Sequence, residues 1–163
     1  MMTTRLHMAT ALAFLCLGGA AQAQTCTPAA GAITDGSATV NINTCQSTNQ
    51  LLSACNGLDA IGASPDTIYS LQLPPGINGG LSATPTGYDL KLALLQGTCS
   101  AGSTCIRDAD AGGIGVAENF SFTGLPAGAY FVLLTSFGGS PDCGATSITY
   151  FGVPVTLQRF SID

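Results

Sequence analysis

Glycine and proline interrupt this chain too often for long helices to form. They recur in "TDG", "LPPG", "NGG", "TPTG", "AGG", "LPAG" and "FGGSPD", each of which reads as a turn or loop. Between them lie short runs with a period of two. "SATVNIN" puts Ala38, Val40 and Ile42 on one face, and "TIYSLQL" does the same with Tyr69, Leu71 and Leu73. "YDLKLALL" sets Tyr88, Leu90, Leu92 and Leu94 against Asp89, Lys91 and Ala93, which places Lys91 on an exposed face. "NFSF" offers Phe120 and Phe122. "AYFVLLTSF" is apolar on both faces, as a central strand is, and "TSITYF" and "VPVTL" close the series. Short strands between turn signals predict an all-β sandwich. The best helical candidate, Ser47–Cys55, reads as a short helical turn or a loop. In "LPAGAY" and "LPPG", proline presets the turn and Gly128 or Gly76 takes the positive φ that returns the chain.

Residues 1–23 read as a secretory signal peptide. Arg5 supplies a basic start, Ala9–Leu17 a short apolar run, and Ala21-Gln22-Ala23 the small residues of a cleavage site. Residues 24–163 are then a single domain, secreted to the periplasm or beyond the cell. Setting the leader aside removes all 3 Met, the 1 His (His7) and Cys16. Its basic side chains are Lys91, Arg107 and Arg159, against 9 Asp and Glu. Such an acidic balance excludes nucleic acid as a partner, because binding it needs clustered Lys and Arg. No second long apolar run is present, so no membrane insertion is expected.

Cys26, Cys45, Cys55, Cys99, Cys105 and Cys143 remain, an even set that reads as disulfides in an exported chain. The sequence alone selects no pairing. Local spacing favours Cys99–Cys105 and Cys45–Cys55, which would leave Cys26 for Cys143. Cys99 and Cys105 are too widely spaced for a zinc or redox pair, and no His accompanies them. A bridge across that short loop would contribute about 2 kcal/mol in the chain-entropy picture.

The stretch from Tyr88 to Gly139 resembles the bacterial pre-peptidase C-terminal domain. The resemblance rests on Asp89, Leu90 and Leu92 in the first strand and on the Cys99/Cys105 loop. It continues through the acidic turn at Asp108 and Asp110 and through Leu125–Val132. With "DTIYSLQLPPG" upstream it covers about residues 66–139. It implies a jelly-roll-like sandwich, secretion and a non-catalytic accessory role, with calcium or collagen bound by some relatives. The chain departs from that pattern in carrying no peptidase and in its closing strand.

Asp108, Asp110 and Glu118, joined by Asp89, are the candidate calcium ligands, since calcium takes several carboxylate and carbonyl oxygens. The alternative is a solvated acidic loop that keeps the protein soluble. Tyr69, Tyr88, Tyr130 and Tyr150 read as core or rim residues ahead of a sugar platform. Catalytic residues are not expected: a Ser–His or Cys–His system needs a histidine that residues 24–163 lack. The expected function is a secreted non-catalytic module acting on extracellular protein or polysaccharide, with calcium as a possible aid. The alternative is a structural envelope or matrix protein that works by self-association.

Overall fold

The computed structural model describes residues 32–33, 39–49, 55, 64–100, 103–137 and 142–153. The predicted signal peptide, Asp59 and the "VPVTL" run after Val153 lie outside them. Among the described residues the regular structure is nine β-strands and one 3-10 turn at Thr44–Gln46. The strands are β1 (Ala32–Ile33), β2 (Thr39–Asn43), β3 (Thr67–Leu73), β4 (Ile77–Pro85) and β5 (Leu90–Gln96). They continue with β6 (Thr104–Ala109), β7 (Glu118–Leu125), β8 (Gly128–Ser136) and β9 (Ala145–Val153). One sheet runs β1-β3-β8-β5-β6 and the other β2-β9-β4-β7. All pairings are antiparallel except β1 with β3.

Only the β5–β6 connection stays within one sheet; every other step between consecutive strands crosses to the opposite layer. This is the jelly-roll-like sandwich. Period-two strands hide one face each, and stacking two such faces removes both from water. Tyr69, Leu71 and Leu73 of β3, Leu90, Leu92 and Leu94 of β5, and Tyr130, Val132 and Leu134 of β8 face inward. They meet Ile77, Leu81 and Ala83 of β4, Phe122 of β7, and Ile148 and Tyr150 of β9. A fully buried Leu in such a core contributes about 1.5–3 kcal/mol. The four tyrosines are all at most 2% exposed, so they are core residues.

The five-stranded sheet is covered on its outer side too. Ile68, Ala93, Leu95, Cys99 and Leu133 form a second buried cluster there, with Cys55, Cys105 and Phe131 against it. That cover corrects one expectation: Lys91, on the same outer side, is buried at 2% exposure. Alternation separates two faces but does not say that one of them is wet.

The bridges correct the expected pairing. Cys45 is joined to Cys143 and Cys55 to Cys105, each with 4.9 Å between Cα atoms. Cys99 is also disulfide-bonded, and not to Cys105. Register explains the first bridge. Asn43 pairs with Ala145 across β2 and β9, so continuing the ladder brings Cys45 opposite Cys143. For the second, Cys105 pairs with Leu95 inside β6 and joins Leu95 in the outer cluster, where Cys55 also packs. Residue spacing saw only a short loop; strand register takes Cys105 away from Cys99.

Three strands were not expected. β1 is a two-residue strand, β4 contains the "NGG" that reads as a turn, and β6 the residues that read as loop and acidic turn. Gly79 and Gly80 sit mid-strand because a Cβ at either would run into a neighbour: the Phe151 carbonyl at Gly79, the Phe151 ring at Gly80. At the "LPPG" turn Gly76 does adopt φ +70°, as expected.

Candidate functional site

The predicted calcium ligands fall in the region where the chain leaves β6 for β7. Lys91 Nζ lies 2.9 Å from Asp110 Oδ2 and sits under the Phe137 ring, 4.4 Å from its centroid. Glu118 is buried at 2% exposure and accepts from the backbone N–H groups of Ala111 (3.1 Å) and Gly112 (2.6 Å). Asp108 is exposed on β6. Asp89 has one buried oxygen, Oδ1, with no hydrogen-bond partner. Its carboxyl is pushed above the ordinary aspartate value, first by burial, then by the charges of Asp110 and Glu118, with Lys91 opposing. Among the described residues no group of three His, Cys, Asp or Glu side chains is gathered to hold a metal ion. Glu118 instead ties the loop together, and Lys91 supplies the positive charge beside Asp110.

A cleft opens beside edge strand β2, between the two sheets. It has a volume of about 570 Å³ and is lined by Asn41, Ile42, Asn43, Gln46, Ser47, Thr67 and Tyr69. Among the described residues, amides and hydroxyls dominate this lining and none of its side chains is charged. Part of the polar capacity is spent locally: Asn43 Oδ1 accepts from the Cys45 N–H at 3.1 Å, and Ser47 and Thr67 share a hydrogen bond of 2.7 Å. The side chains of Asn41 and Gln46 are exposed. A cleft of this kind can hold a neutral, hydrogen-bonding segment of a larger molecule.

Neither a family model nor a curated protein matches this chain. Its structure is similar to a pre-peptidase C-terminal domain. The solved structure is that domain of a collagenase from Bacillus anthracis, with a TM-score of 0.48 and 12% identity. The match covers 77% of this chain and 99% of that one.

The cleft was not legible beforehand. Asn41 and Asn43 read as the polar half of an alternating strand, and nothing in "NINTCQS" signals that β2 borders an opening. The usable clue was the run itself: several uncharged hydrogen-bonding side chains around one short strand. It gains meaning only once β2 is known to be an edge.

Proposed function

We propose that this protein is a secreted, non-catalytic binding module for an extracellular protein or polysaccharide. The cleft beside β2 carries the reading, because its described lining offers uncharged amides and hydroxyls along an edge strand. Export is supported by the leader-like residues 1–23 and by bridges that persist in oxidising compartments. The absence of catalysis is supported by composition, since residues 24–163 contain no histidine to activate a nucleophile. Lys91 is committed to Asp110 and buried, which removes it as a free base. The module works without calcium, with Lys91 as the cation of the acidic corner.

Depletion from solution tests the reading. Purified protein is mixed with insoluble cellulose, chitin and fibrous protein, and the unbound fraction is measured with and without calcium. Retention on at least one support, unchanged by chelator, is expected. Full recovery in the supernatant from every support overturns the proposal, and retention that requires calcium overturns its calcium-free part.

A further inference from the structure

The two outer surfaces of the sandwich differ in kind. The outside of the five-stranded sheet carries a buried apolar cluster, with Cys55 and Cys105 bridged across it. The outside of the four-stranded sheet is open, and alternation assigns its side chains. β2 contributes Thr39, Asn41 and Asn43; β9 contributes Ser147, Thr149 and Phe151. β4 contributes Gly80, Ser82 and Thr84, and β7 contributes Asn119, Ser121 and Thr123. Register aligns them in rows: Thr39, Thr149, Ser82 and Asn119 stand side by side, as do Phe151, Gly80 and Ser121. None of these residues is charged, although the chain as a whole carries a formal charge of −5.

One aromatic ring interrupts the hydroxyls and amides. Phe151 is 46% exposed, and its ring lies where a Cβ on Gly80 would stand. Glycine at that position leaves room for the end of the ring, Cζ and Cε2, to reach over the neighbouring strand, while nearly half of the residue stays in water.

We infer that this open face binds a neutral polysaccharide chain, with Phe151 stacking on a sugar ring and the surrounding Ser, Thr and Asn side chains bonding its hydroxyls. The inference rests on the binding-module reading and gives it a ligand class and a surface. Charge decides the occupant. A charged polymer laid here would lose hydration and find no opposite charge to replace it, whereas a neutral one needs only hydrogen bonds and an apolar contact. The outer strands of four are about 14 Å apart, wide enough for a polymer to cross the rows. The face meets the cleft along β2, since Asn41 and Asn43 belong to both.

Retention on microcrystalline cellulose and chitin, with alginate beads as the acidic comparison, tests this. Wild type is expected on a neutral polymer and not on alginate. Phe151→Ala should weaken retention about tenfold, one stacking contact's worth, and Phe151→Tyr should preserve it. Phe151→Ala could disturb the sheet, so Ser121→Arg serves as the second variant. It adds a bulky charge beside Gly80 on an exposed position and should also weaken retention severalfold. Neutral-polymer retention unaffected by Phe151→Ala and Ser121→Arg overturns the inference and leaves the module reading standing. So does retention on protein supports or alginate alone. Retention on nothing overturns both.

Discussion

Asp89 carries its charge at a cost. Burial and the nearby carboxylates of Asp110 and Glu118 hold its pKa above the ordinary 3.8, and Lys91 offsets only part of that. The sign follows from linkage. A carboxyl raised in the folded state contributes stability that is fully present below 3.8 and is lost as pH rises through the folded value. Asp89→Asn removes the ionisation, so its melting temperature should exceed wild type at pH 7. The two should converge as the medium is acidified below the ordinary aspartate value, followed by thermal unfolding across a pH series. A variant that is less stable at pH 7 would mean that the ionised Asp89 is itself held by favourable contacts. Lys91 illustrates what the sequence could not reveal at this scale. Its place between Leu90 and Leu92 fixes which side of the sheet it is on, but the chain that covers that side comes from elsewhere in the fold.

At the scale of elements, strands with clean alternation or a continuous apolar run were legible: β2, β3, β5, β7, β8 and β9 all occur where the pattern put them. β4 was hidden because its glycines serve close packing against Phe151 and Phe122, and glycine in sequence reads as a turn. β6 was hidden because an edge strand with a bulge at Leu94/Leu95 buries little and shows little pattern. The bridges follow from those strands. Cys45–Cys143 spans a separation of 98 residues and encloses the Cys55–Cys105 bridge, whose separation is 50. Long closures constrain the unfolded chain most, so the nested outer bridge should contribute about 4 kcal/mol. The double variant Cys45→Ser/Cys143→Ser should therefore melt roughly 10 °C lower, as measured by circular dichroism. Peptide mapping without reduction should recover the Cys55–Cys105 bridge intact in that variant.

For the whole molecule, what matters is where charge is absent. Asp89, Lys91, Asp110 and Glu118 gather at the β6–β7 connection, and Arg107 and Asp108 lie on edge strand β6 of the five-stranded sheet. The outer face of the four-stranded sheet and the β2 cleft hold none of them. Composition made the acidic balance legible, but only the fold separates the charged end from the uncharged face. The separation predicts how binding responds to salt. Interactions between exposed charges fade once the screening length drops from about 10 Å at 0.1 M to about 3 Å at 1 M, whereas stacking and neutral hydrogen bonds do not depend on them. Cellulose or chitin isotherms at about 0.1 M and about 1 M sodium chloride should therefore superimpose. A steep loss of retention with salt would place the contact on the charged corner around Asp108 and Asp110, and the uncharged face would no longer be the surface that holds the polymer.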